Sequence, residues 1–143
     1  DDENLFFGTK TALASYNIES GYVNWIKNIN TTNSPIINLN NLFVITDNGF
    51  FINLQKDSGE IIWSTNILKI LKRKKQNTKI TGFILGSNKI YATTLNGYLI
   101  ISSATTGKVE SFKKIGETIT APPIINSSSL YILTENSRII GFK

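Results

Sequence analysis

"QKDSGEIIW", Gln55 to Trp63, places a tryptophan four residues after a glycine that closes a polar turn. "NIESGYVNW", Asn17 to Trp25, does the same with Gly21 and Trp25. A spacing that occurs twice is a repeated structural device, and four stretches of the chain fall into line on it. "LFFGTKTALASYNIESGYVNW" runs from Leu5, "LFVITDNGFFINLQKDSGEIIW" from Leu42, "IYATTLNGYLIISSATTGKVESF" from Ile90 and "LYILTENSRIIGFK" from Leu130. From opening residue to turn glycine is 17 residues for Leu42–Gly59 and Ile90–Gly107, and 16 for Leu5–Gly21. "PIIN" at Pro35, "FILG" at Phe83 and "PIIN" at Pro123 each begin seven residues before Leu42, Ile90 and Leu130. The repeating unit is therefore four short strands. Gly21, Gly59 and Gly107 are separated by 38 and then 48 residues. Periods of this size mark a propeller or a solenoid.

Turn chemistry agrees. Asn48-Gly49 and Asn96-Gly97 lie between apolar runs and predict two-residue type I′ hairpins with φ > 0 at both positions. Asp57-Ser58-Gly59 and Thr105-Thr106-Gly107 suit longer loops with glycine in the left-handed region. Pro35 and Pro123 open strands, where a missing N–H costs little. Strand alternation then predicts that positions two and four after the turn glycine share a face: Val23 with Trp25, Ile61 with Trp63, Val109 with Ser111. Trp25 and Trp63 are expected to be buried between consecutive sheets. Ser111 stands where the third copy should have its tryptophan, so that junction should pack differently.

Composition narrows the chemistry. The 143 residues are 41% hydrophobic, enough for a real core. Net charge is +5, which permits an anionic partner without demanding one. The chain has no cysteine and no histidine. Disulfides, thiolate metal sites, a cysteine nucleophile and a histidine base are thereby excluded within it. No apolar run approaches the length that spans a membrane as a helix. The opening "DDENLFFG" lacks the charged-then-apolar order of a signal peptide. The chain is therefore either cytoplasmic or preceded by a natural N-terminus, and the repeat favours the second.

The Gly-x-x-x-Trp device, preceded by "DNGFFINL", resembles the pyrroloquinoline-quinone-like (PQQ-like) β-propeller repeat. The matching stretches are Ser15 to Trp25, Asn53 to Trp63 and, more weakly, Ile101 to Ser111. Glycine and tryptophan are retained, while the repeat's alanine and aspartate positions are substituted, as by Asn53 and Gln55. The structural repeat residues are thus Gly21, Trp25, Gly59, Trp63 and Gly107. Within that superfamily the chain is similar to the C-terminal part of the BamB family, propeller lipoproteins of the outer-membrane β-barrel assembly machinery. The ending "SLYILTENSRIIGFK", partway through a repeat, carries that parallel. The resemblance implies an all-β fold of four-stranded antiparallel blades. About four blades are expected, a partial ring of an eight-bladed propeller, with units near 5–28, 35–65, 81–114 and 123–143 and a basic insertion at 66–80. It also implies a periplasmic protein attached to the outer membrane through a lipidation cysteine upstream.

Candidate chemistry is sparse. In "NILKILKRKKQNTK", Asn66 to Lys79, the residues Ile67, Leu68, Ile70 and Leu71 form a stripe at helical spacing. Lys72, Arg73, Lys74 and Lys75 follow. The plain reading is a short helix or loop with a solvated basic end. The functional reading is contact with an acidic protein or an anionic membrane surface. A nucleic-acid partner is not expected, because no aromatics interleave with the cluster. Asp1, Asp2 and Glu3 are terminal, and Asp47, Asp57 and Glu60 sit at or beside turns, where they serve the backbone. Calcium needs six or more converging oxygens. No metal, no cofactor and no catalytic residue is expected.

The expected function is a non-enzymatic scaffold that binds a protein partner in the assembly machinery, with self-association of the fragment through open sheet faces. The alternatives are a fragment of a PQQ-dependent dehydrogenase and the ligand-sensing propeller of a signalling protein.

Overall fold

A computed structural model describes residues 2–75 and 78–143, with the side chains of residues 73–75 outside that description. The chain divides into two compact units, Asp1–Thr65 and Asn66–Lys143. In the first, β1 (Asn4–Gly8), β2 (Leu13–Asn17) and β3 (Val23–Lys27) form one sheet. The second sheet of that unit comprises β4 (Ile36–Asn38), β5 (Asn41–Ile45), β6 (Phe50–Gln55) and β7 (Ile61–Asn66). The other unit begins with a 3₁₀ segment, Ile67–Lys75. Its sheets are β8 (Ile80–Gly86), β9 (Lys89–Thr94), β10 (Tyr98–Ser103) and β11 (Val109–Lys114), then β12 (Ile124–Asn126), β13 (Ser129–Leu133) and β14 (Ile139–Phe142). Every sheet runs in sequence order, so each blade is an up-and-down meander. The fold is all-β, as the repeat predicts.

Central strands bury both faces, which is why they read as continuous apolar runs. In β5, Leu42 and Val44 point one way, while Phe43 and Ile45 point the other; all four are buried. Leu42 and Val44, with Ile52 and Leu54 of β6, pack on Leu13, Trp25 and Ile29 from the first sheet side. The corresponding core of the other unit joins Leu99 to Ile119, Leu130 and Ile132.

The hairpins differ from expectation in an instructive way. Gly49 and Gly97 have φ of 83° and 80°, but Asn48 and Asn96 are not in the left-handed region. These are three-residue loops in which Gly49 N–H donates to Thr46 O and Gly97 N–H to Thr94 O. The geometry is a type I turn followed by a left-handed residue, not type I′. Thr46 and Thr94 open these turns, each accepting on its hydroxyl the N–H four residues on, from Phe50 and Tyr98. Ser137 takes the glycine's place in the last blade at φ 61°. The two-residue loops with both residues at positive φ lie elsewhere, at Ser87-Asn88 and Ser127-Ser128. They join β8 to β9 and β12 to β13, where Gly86 pairs with Lys89 and Asn126 with Ser129.

The turn before each fourth strand is the same three times. Gly21, Gly59 and Gly107 have φ of 71°, 67° and 72°. Each donates its N–H to a carbonyl four residues back, on Asn17, Gln55 and Ser103. A bulge follows, and it corrects the predicted face. Val23 pairs with Tyr16 but Trp25 with Ser15, leaving Asn24 as the extra residue. Likewise Val109 pairs with Ser102 and Ser111 with Ile101, with Glu110 extra. Tyr16 and Ser15 are neighbours on one strand and face opposite ways, so Val23 and Trp25 do too. Val23 is accordingly exposed and Trp25 buried. The extra residue reaches back across the sheet. Asn24 Nδ2 donates to Asn4 Oδ1 at 2.7 Å, and Glu110 Oε2 accepts from Lys89 Nζ at 2.8 Å.

Candidate functional site

The junction between the first two sheets explains the glycine–tryptophan spacing. Trp25, 8% exposed, lies over the polar turn of the next repeat. Its Nε1–H donates to Lys56 O at 3.0 Å. A Cβ added at Gly59 would come within 2.7 Å of Trp25 Cδ2 and 2.9 Å of Cε3. The indole of one repeat is thus seated on the turn glycine of the following one. Phe6 lines the other side, its ring centroid 6.0 Å from the indole.

Trp63 is placed differently within its unit. It is half-buried and packs on its own sheet, with centroids 4.7 Å from Phe51 and 6.2 Å from Phe43.

The junction between the β8–β11 and β12–β14 sheets repeats the first without its indole. By register, Leu99, Ile101, Ser111 and Lys113 stand where Leu13, Ser15, Trp25 and Lys27 stand in the first sheet. Leu130 and Phe142 pair as Leu42 and Leu54 do. Beside Ser111 and Lys143 there is a cleft of about 550 Å³. Tyr91, Leu99, Ile101 and Ser111 line one wall, and Ile125, Leu130 and Phe142 the other. Lys113 Nζ lies 4.7 Å from the centre of the Phe142 ring. None of the side chains lining the cleft is acidic. Ser111 was the legible signal for this site; the lining itself was not foreseen.

The basic insertion is only partly the predicted stripe. Ile67, Leu68 and Leu71 are buried, but Ile70 is 38% exposed. The backbone is 3₁₀, interrupted at Lys72 with φ 50° and ψ −123°, rather than α-helical. Three residues per turn stack Leu68 and Leu71 on one side. Lys72 is exposed. The side chains of Arg73, Lys74 and Lys75 lie outside the described residues, as does Asp1.

One charged pair makes a testable contribution. Arg138 Nη1 donates to Glu117 Oε1 at 2.8 Å. The Thr134 hydroxyl beside it, and then Arg138, hold the Glu117 carboxyl below the ordinary carboxylate range. The Thr134 contact is the looser of the two, since neither Thr134 Oγ1 nor Glu117 Oε2 completes a hydrogen bond. A depressed carboxyl adds stability above its unfolded pKa, about 4.3, and loses it as pH falls through the lower folded value. Glu117→Gln is therefore expected to be less stable than the native chain in urea at pH 7, with a narrower gap at pH 3. An equal gap at both values would remove the linkage.

Two sheet faces are apolar and open. On the first sheet Leu5, Phe7, Val23 and Ile26 are exposed, with Phe7 stacked on Tyr16 at 5.3 Å. On the last, Ile124, Tyr131, Leu133 and Ile139 are exposed. Among the described residues no group of three or more Asp and Glu is placed to hold a metal ion, and no helix is long and apolar enough to cross a membrane.

Comparison with known proteins defines the class. The sheets are blades of a partial β-propeller, and the same fold covers 99% of the chain in solved structures. The repeat is of the PQQ-like kind, and the chain is similar to BamB. A family model described as "Outer membrane protein assembly factor BamB" matches residues 1–65. BamB from Moraxella catarrhalis superposes with a TM-score of 0.81 at 13% identity, over 99% of this chain and 40% of that one. Quinohemoprotein alcohol dehydrogenase from Comamonas testosteroni gives 0.75 at 13% identity, over 93% and 28%. The computationally designed Ika4 protein gives 0.77 at 9% identity, over 99% and 86%. No curated protein matches the chain's sequence. The chain thus spans less than half the length of the BamB it resembles.

Proposed function

We propose that this chain is part of a non-enzymatic, BamB-like scaffold of outer-membrane β-barrel assembly, working in the periplasm as part of an outer-membrane lipoprotein. The observation that carries this reading is the coincidence of the assembly-factor family model over residues 1–65 with the fold of a BamB over nearly the whole chain. Rigid blades with variable loops suit a protein that holds others in place. A histidine- and cysteine-free chain supplies few groups for catalysis. The test is photo-crosslinking in the cell from exposed blade positions such as Tyr22 and Leu39. Adducts with components of the assembly machinery support the reading. The dehydrogenase likeness supports the second reading, a quinone-dependent enzyme fragment. Adding PQQ and calcium decides between them: a bound chromophore with substrate oxidation would overturn the scaffold.

The basic insertion is proposed to face an anionic partner, an acidic protein or a membrane surface. Replacing Lys72, Arg73, Lys74 and Lys75 by glutamine is expected to weaken binding to anionic vesicles, each cation near the surface being worth about 1 kcal/mol. The salt dependence should flatten with it. Folding stability should change by less than about 0.5 kcal/mol. Unchanged vesicle and partner binding would reduce the run to a solubility feature. The two open faces support self-association, because apolar patches of this kind are unusual on monomers. Sedimentation of the isolated chain is expected to show assemblies; a clean monomer at high concentration would count against it.

A further inference from the structure

Charge is distributed unevenly along the chain. Residues 66–143 carry 12 Lys and Arg against 3 Glu, whereas residues 1–65 carry 3 Lys against 7 Asp and Glu. Two of the three glutamates in the basic part are already paired, Glu110 with Lys89 and Glu117 with Arg138. An imbalance of this size within one chain is the footprint of contact with a nucleic acid or a membrane surface. The structure gathers part of the excess. The 3₁₀ segment Ile67–Lys75 lies against β11, within the same unit. Ile67, Leu68 and Leu71 are buried, which leaves Lys69, Ile70 and Lys72 at the surface. On β11, Phe112 and Lys114 share one face of the strand, and both are exposed.

Two features of this surface select its partner. The first is the kind of cation. Interfaces between proteins are enriched in arginine and depleted of lysine. Lys69, Lys72 and Lys114 instead offer point charges on flexible stems, which suit phosphates that hold no fixed geometry. The second is the apolar side chains set among the charges. Ile70 is 38% exposed and Phe112 40%. Phe112 rests on Tyr98, their ring centroids 6.2 Å apart, so its ring is held at the surface. At a lipid interface, lysines meet the headgroups while apolar side chains enter the boundary with the acyl chains. Nucleic acid fits less well, because one exposed ring provides no run on which successive bases could stack.

We infer that the 3₁₀ segment and β11 together form a docking surface for an anionic phospholipid membrane, with Lys69, Lys72 and Lys114 at headgroup level and Ile70 and Phe112 entering the interface. The inference rests on the reading of the basic insertion as a contact for an anionic partner, and deepens it by naming that partner and adding β11.

The test adds the whole chain to vesicles of phosphatidylcholine and phosphatidylglycerol, with pure phosphatidylcholine vesicles and polyglutamate for comparison. Binding to the anionic vesicles is expected, and it should fall as salt rises. Lys69→Gln combined with Lys114→Gln, which keeps the run from Lys72 to Lys75, should weaken it about thirtyfold, or about fivefold for each lysine. The melting temperature of that variant should match the native chain's. Phe112→Trp should keep the binding and gain fluorescence quenching by lipids brominated on their acyl chains, relative to the native chain. If the double variant binds as the native chain does while replacing Lys72, Arg73, Lys74 and Lys75 removes binding, the insertion reading stands and this inference falls. Capture of polyglutamate without vesicle binding would make the surface one for an acidic protein, and unchanged quenching would leave the ring outside the lipid; either overturns the inference. Binding to neither probe would overturn both readings.

Discussion

Replacing Trp25 by alanine is expected to destabilise the first unit by about 3–5 kcal/mol, the range for removing a large aromatic from a packed core. Three separate losses add up. The ring is 8% exposed and touches the hydrophobic cluster of both sheets, so its removal opens a cavity between them. Lys56 O loses the donor that Trp25 Nε1 provides, although water can replace it in a partly exposed turn. Gly59 loses the indole and keeps only the flexible Lys27 chain against it. Trp25→Phe keeps part of the first contribution and loses the second, so it should fall in between. Urea unfolding followed by circular dichroism measures both. A cost below about 1 kcal/mol for Trp25→Ala would mean that the indole covers the turn without holding the two sheets together.

Gly59→Ala is the second large effect. At φ 67° an L-residue costs about 1–2 kcal/mol by itself. The added methyl then enters the indole, and forcing apart a well-packed contact costs about 1–3 kcal/mol more. Gly21 supplies the control within the same protein. Its φ is 71°, yet nothing lies within 4 Å of an added Cβ. Gly21→Ala should therefore show the backbone cost alone. The double variant Trp25→Ala with Gly59→Ala separates the parts, because once the indole is gone the methyl meets only the flexible end of the Lys27 chain, which can move aside. Strong non-additivity is expected; simple addition of the two single effects would place the steric conflict elsewhere.

Strands, their order and the blade repeat were legible because they are written in local pattern: alternation along each run and glycine at fixed intervals. The indole's partner was not legible. Trp25 touches a glycine 34 positions later, and a period predicts recurrence without saying which copy meets which. The bulge was equally hidden, since Asn24 and Glu110 share no property that marks them as extra residues. Its effect reverses the face of Val23, which a strict period of two cannot represent. The turn type was misjudged because Asn-Gly is a strong type I′ signal in two-residue loops. Here Thr46 and Thr94 lengthen the loop by bonding across it, and the left-handed pairs fall on the plainer Ser87-Asn88 and Ser127-Ser128. In the insertion, apolar spacing suggested a short helix or loop with one apolar stripe, yet the backbone is 3₁₀ and leaves Ile70 partly exposed. The cleft was half visible: Ser111 announced a missing ring, but whether neighbours would collapse into the gap depends on packing that no single position records.

The seating of one repeat's indole on the next repeat's glycine has a bearing on how the molecule comes apart. Repeat proteins gain much of their stability from nearest-neighbour interfaces, so cooperativity extends only as far as those interfaces are strong. The first junction has its fastener, and β1–β3 with β4–β7 should open as a single foldon. The junction at Ser111 lacks it, so β12–β14 should exchange their amide hydrogens by a separate, lower-energy opening while the sheet before them stays closed.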